Sequence, residues 1–146
     1  MSRKYKFINP DGIYFVSFAV QEWVDVFRRN EYKEILIENL DYCQKNKVLE
    51  IFAWCIMTNH VHLIIRAEEG YLLQDILRDY KKFTSKAVIK AIKENTRESR
   101  REEWLLNHFT TSEGNRFWRA DNKPIELWSI AVIKQKLNYT HQNPVK

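Results

Sequence analysis

The stretch from residue 48 to residue 66 limits the possible folds more than any other. Two apolar runs, residues 48–57 and 60–66, are separated only by Thr58-Asn59. Asparagine tolerates the left-handed backbone that tight hairpins require, so this spacing predicts two antiparallel strands. Side chains alternate faces along a strand, which places His60 and His62 on one face and Val61 in the opposite layer. Two imidazoles on one face of a rigid element form a bidentate clamp for a metal ion. A half-buried or surface pair of histidines would have the same spacing. The apolar flanks, residues 54–57 and 63–65, would hold both rings rigid.

The remaining elements fall on either side of this hairpin. Residues 13–20 read as a first strand with both faces covered, as in the centre of a sheet. From Asn30, a candidate N-cap, the period becomes helical: Tyr32, Ile35, Leu36, Leu40 and Cys43 share one side up to about residue 45–47. After Gly70 a longer helical pattern runs through Leu73, Ile76, Leu77, Tyr80, Phe83, Thr84, Ala87, Val88 and Ala91, with lysines on its other faces. Residues 95–109 predict a charged surface helix, 110–115 a loop, and Asn115-Arg-Phe-Trp-Arg119 a short aromatic and basic strand. A last helix is expected from about residue 125 to 142, ending before Pro144, which disfavours helical backbone in the residue ahead of it. The order strand, helix, strand, strand, helix, weak strand, helix predicts an α+β fold. Its antiparallel sheet with helices packed on it fits a ferredoxin-like or RRM-like layout.

Size and composition fit one domain spanning residues 1–146. Hydrophobic residues make up 45% of the chain, including five Trp and eight Phe, which excludes a disordered polypeptide. The longest apolar run is too short to span a bilayer, and residues 1–6 lack the apolar core of a secretory signal, so a cytoplasmic protein with no membrane partner is expected. Cys43 and Cys55 sit in apolar patterns and predict buried thiols rather than a disulfide. A net charge of +5 favours an anionic partner, although a solvated basic surface would give the same value.

Several basic residues are placed to contact nucleic acid. Arg3, Lys4 and Lys6 interleave with aromatic residues at the N-terminus, an arrangement that suits phosphate contact with base stacking by Tyr5. Lys81, Lys82 and Lys86 lie on the long helix, and Arg116 and Arg119 flank Trp118, a second candidate for stacking. Each has an ordinary surface or core alternative. In the last helix Tyr139 and Asn143 are four apart and share a face. Asn143 could offer an amide oxygen as a third metal ligand beside Tyr139; a core tyrosine followed by a C-capping asparagine would look the same.

Four segments together resemble the HUH single-tyrosine transposases: Gly12-Ile-Tyr-Phe-Val-Ser-Phe18, Trp54-Cys-Ile-Met-Thr-Asn-His-Val-His-Leu-Ile-Ile65, Arg116-Phe-Trp-Arg119 and Leu137-Asn-Tyr-Thr-His-Gln-Asn-Pro-Val-Lys146. Within that superfamily the chain is most similar to the REP-associated tyrosine transposases. The resemblance implies an HUH endonuclease core in which His60 and His62 are metal ligands and Tyr139 is the nucleophile. Asn143 takes the position of the polar third ligand, which is glutamine in some relatives. Thr58 stands where Met-Pro-Asn-His is usual, a change that bears on the rigidity of the turn.

The chemistry that follows is metal-dependent cleavage and strand transfer on single-stranded DNA beside a hairpin, through a 5′-phosphotyrosine and with Mg²⁺ or Mn²⁺ as cofactor. A tyrosine of pKa about 10 needs help to ionise, from the metal or from a cation such as Lys136. The relatives include swapped dimers and monomers, so either state is expected. Two rivals remain: an RRM-like module that binds nucleic acid without cutting it, and a metal-dependent nuclease that uses water.

Overall fold

β-Branched and aromatic side chains dominate the segments that pair into the sheet. In the computed structural model, residues 7–46, 48–95, 102–111 and 114–127 are described, together with 132, 134, 135 and 138. The elements are β1 (Tyr14–Ala19), α1 (Asn30–Lys45), β2 (Leu49–Ile56), β3 (His60–Ala67), α2 (Leu73–Glu94), α3 (Glu102–Phe109), β4 (Thr110–Thr111), β5 (Gly114–Asn115) and β6 (Ile125–Glu126). Four strands form an antiparallel sheet in the order β2-β3-β1-β6, while β4 and β5 make a separate two-stranded ribbon. With β3 lying between β2 and β1, this is the ferredoxin-like arrangement expected from the order of periodicities.

One face of the sheet carries the helices. Val16 and Phe18 of β1, Val20 just past its end, and Val61, Leu63 and Ile65 of β3 pack in a single core with Tyr32, Leu36 and Leu40 of α1 and Leu77, Val88 and Ile92 of α2. Full burial of each such side chain contributes roughly 1.5–3 kcal/mol, so this layer dominates the stability of the domain. Tyr80 joins the two helices through its hydroxyl, which donates to the Leu36 carbonyl at 2.9 Å. The opposite face holds a smaller cluster of Phe15, Ala53, Ile64 and Leu127, with Val132 packed against it.

A bulge between Ile51 and Ala53 shifts the register of β2 against β3 by one residue. An inserted residue exchanges the faces of everything beyond it. Leu49 therefore joins the helix-side core, whereas Ala53 lies in the cluster on the other face. Cys55 pairs with His62 and is buried, and both it and Cys43 are free thiols.

The ends of elements depart from the periodicity in four places. Asn30 is the first residue of α1; Arg29 occupies the cap position, with no side-chain cap bond. Residues 110–115 contain the β4–β5 ribbon in place of a plain loop. Of residues 115–119 only Asn115 lies in a strand, β5, and Trp118 makes one isolated bridge to Val20. Ile125 and Glu126, expected to open the last helix, pair with Phe15 and Tyr14 as a sheet edge. Val132, Lys134, Gln135 and Asn138 are helical, as expected for that stretch. Among the described residues, no helix is long and apolar enough to cross a membrane.

Candidate active site

The site is built on β3, a central strand fixed by pairing on both sides. Val61 is buried on the helix side, and the two histidines face the other way, their ring centres 4.7 Å apart and nearly perpendicular at 82°. Antiparallel pairing sets Ser17 of β1 and Cys55 of β2 on either side of His62. Ser17 Oγ lies 2.7 Å from His62 Nδ1, and Phe15 stacks on the same imidazole at 5.4 Å. With Nδ1–H donating to Ser17, Nε2 is the nitrogen through which His62 would hold a metal.

His60 has a matching support. Its Nδ1 lies 2.7 Å from the Asn59 side-chain oxygen, which accepts the ring proton and again assigns Nε2 to ligation. Asn59 in turn donates from Nδ2 to the Trp23 carbonyl at 3.1 Å. The turn itself is tied down, because Val20 N–H donates to the Asn59 carbonyl and Phe27 N–H to the Thr58 carbonyl, both at 2.9 Å. Burial lowers the His60 pKa, which favours the neutral imidazole that binds metals. Two imidazoles, each with its second nitrogen engaged, fit a divalent cation that needs further oxygen ligands. Among the described residues no group of three or more His, Cys, Asp or Glu gathers at any point, so further ligands would have to be of other types or come from outside those residues.

A basic groove lies between α2 and residues 116–122. Arg78, Lys81, Lys82, Arg116 and Arg119 all line it. Four of these were candidates from sequence, and the fold brings them together. Lys86 is exposed on α2, one turn past Lys82 and outside the groove lining. Lys81 has turned inward: its ammonium donates to the Arg119 carbonyl at 2.6 Å and to Asn122 Oδ1 at 2.9 Å, and lies 5.4 Å from the Phe18 ring centre. Desolvation pulls its pKa down to about 8, opposed in part by Asp121. Lys81 thus supports the loop that carries Arg119.

Trp118 departs from the role considered for it. The indole is 6% exposed, packs among Phe18, Phe27 and Phe117, and donates from Nε1 to Thr84 Oγ1 at 3.0 Å. A base has no access to that ring. Tyr139, Asn143, Lys136, Arg3, Lys4, Tyr5 and Lys6 lie outside the described residues. Ser17 and Asn59 are the two supports that residue patterns did not single out. A lone serine in the apolar first strand and an asparagine next to His60 were the available signals, but only the pairing register gives Ser17 its partner.

Comparison with known proteins agrees with this architecture. A family model described as "Transposase IS200 like" matches residues 13–120. Among solved structures, a REP-associated tyrosine transposase bound to a REP hairpin superposes with a TM-score of 0.69 at 14% identity, over 98% of this chain and 72% of that one. A candidate transposase from Deinococcus radiodurans R1 gives a TM-score of 0.57 at 15% identity, over 99% and 100% of the two chains. No curated protein matches. At such identities the superpositions speak for the fold, and the family model covers well over half of the sequence. The chain belongs to the IS200-like transposase family.

Proposed function

We propose that this protein cleaves and rejoins single-stranded DNA beside a hairpin, using Tyr139 as nucleophile and a divalent ion held by His60, His62 and Asn143. The observation that carries the reading is the paired imidazoles, each with Nδ1 engaged by a neighbouring side chain, which supports Nε2 as the nitrogen that would ligate a metal. Membership of a transposase family gives those imidazoles a context, and the REP hairpin in the similar structure supports hairpin DNA as substrate.

When bound, Mg²⁺ or Mn²⁺ supplies Lewis-acid polarisation of the scissile phosphate and stabilises charge on the departing oxygen. The Tyr139 phenol gives up its proton and its oxygen bonds to phosphorus as the bond to the 3′-oxygen breaks. The 3′-oxygen takes up a proton and leaves as a hydroxyl, and the DNA stays linked through a 5′-phosphotyrosine. That ester keeps the phosphodiester energy, so the reverse reaction joins strands without ATP. Arg78, Lys82, Arg116 and Arg119 hold the DNA backbone in the groove beside the site.

Incubation with hairpin-flanked single-stranded DNA and Mn²⁺ tests the assignment. The expected product is a protein–DNA adduct that survives denaturation and is absent in Tyr139→Phe. Cleavage without an adduct would point to water as nucleophile, and binding without cleavage to an RRM-like module. His60→Ala and His62→Ala are each expected to abolish Mn²⁺ binding in calorimetry.

A further inference from the structure

Between the basic groove and the histidine pair stands Trp23, a residue that neither the family resemblance nor the mechanism uses. Its indole is 51% exposed. The Arg119 guanidinium lies over the ring, 5.8 Å from its centre, and the His60 ring is 6.2 Å away in an edge arrangement at 75°. Trp23 is therefore the step from the groove to the metal ligands.

The backbone that presents this ring is unusual. Glu22 and Trp23 have φ values of 55° and 57°, in the left-handed region that residues with a Cβ seldom adopt. Two such residues in succession persist only where the surroundings over-determine them. Here the Asn59 side chain donates to the Trp23 carbonyl, Gln21 N–H donates to the Phe117 carbonyl, and Glu22 lies 3.2 Å from His108 Nε2. The restraints converge on a turn that leaves a large apolar ring in water beside His60. Solvent exposure of one tryptophan is ordinary. A rigidly held ring bordered by a guanidinium and a metal-ligand imidazole has the form of a stacking surface.

We propose that Trp23 is a stacking platform for one unpaired base of the DNA strand running from the groove to the His60/His62 site. This rests on the reading of the chain as a single-strand DNA enzyme and adds to it a base-binding position outside the phosphate contacts. Every base has a π-face, so the platform orders the strand without selecting its sequence. The Arg119 guanidinium borders the same ring and binds the adjoining phosphate.

Binding of a labelled, mixed-sequence single strand and of the same strand annealed to its complement separates this role from general attraction to the groove. Trp23→Ala should weaken single-strand binding about tenfold and leave duplex binding unchanged; Trp23→Phe should retain most of the affinity. Titration of the wild type with single strand should quench tryptophan emission, and Trp23→Phe should bind without that quench. The platform is overturned if Trp23→Ala binds single strand like the wild type, if it loses duplex binding by the same factor, or if Trp23→Phe shows the wild-type quench. A wild type that binds neither probe would remove the DNA reading and the platform with it. Wild-type single-strand binding with an unaffected Trp23→Ala would remove the platform alone.

Discussion

Ser17 and Asn59 do for the two histidines what the histidines would do for a metal: they fix orientation. Each engages Nδ1, which makes Nε2 the nitrogen that would ligate. Partners of this kind typically account for 10–100-fold in metal affinity. Ser17→Ala and Asn59→Ala are therefore each expected to weaken Mn²⁺ binding by about that range in calorimetry, with His60 and His62 both still present. Asn59→Ala also removes the bond to the Trp23 carbonyl, so it should weaken single-strand binding in step, whereas Ser17→Ala should not. The sequence showed these two residues without their roles. Serine in an apolar strand is visible at once, but its partner is 45 positions away and is set by the pairing of β1 with β3.

Helix α2 presents one face to the core and another to the groove, and Lys81 lies where the two meet. In the folded chain its ammonium loses a proton near pH 8, against 10.5 for an ordinary lysine. Between those values the unfolded chain holds more protons than the folded one, so this group adds stability as pH rises. Neutral lysine keeps two N–H donors, enough for the Arg119 carbonyl and Asn122. The thermal midpoint of the wild type, measured against Lys81→Met, should thus increase between about pH 8 and pH 10.5. A difference that stays flat would mean the ammonium is better solvated than its surroundings indicate. The exposed cations of the groove behave differently. Each phosphate contact on a single strand contributes about 0.7 to the slope of log affinity against log salt, so Arg116→Ala should reduce that slope by roughly that amount. Helical spacing alone placed Lys81, Lys82 and Lys86 among the candidates alike. Packing against residues 116–122 turned Lys81 inward and left Lys86 outside the groove lining.

Across the whole molecule the sheet separates stability from chemistry. Leu63 is fully buried on the helix side of β3, between residues that face the site. Leu63→Ala should lower unfolding free energy by about 2–5 kcal/mol in urea titrations, because the cavity lies in the main core. Its effect on Mn²⁺ affinity should be small, since the histidines project from the other face. Ser17→Ala should show the opposite pattern, with little loss of stability and a clear loss of metal binding.

The sequence by itself determined the hairpin at Thr58-Asn59, the spans of α1 and α2, the shared face of His60 and His62, and the family. All of these are local: a period of two or of 3.6, a turn residue, a short motif. Tertiary structure alone decided which strand lies beside β3, and so gave His62 its serine. It also decided that Ile125 and Glu126 extend the sheet instead of opening a helix, since an edge strand takes whatever chain reaches it with open hydrogen bonds. Of the two tryptophans at this end of the molecule, Trp118 went into the core and Trp23 to the surface. Their ring chemistry is identical; only the space left by Phe18, Phe27 and Phe117, and the left-handed turn at residues 22–23, tells them apart.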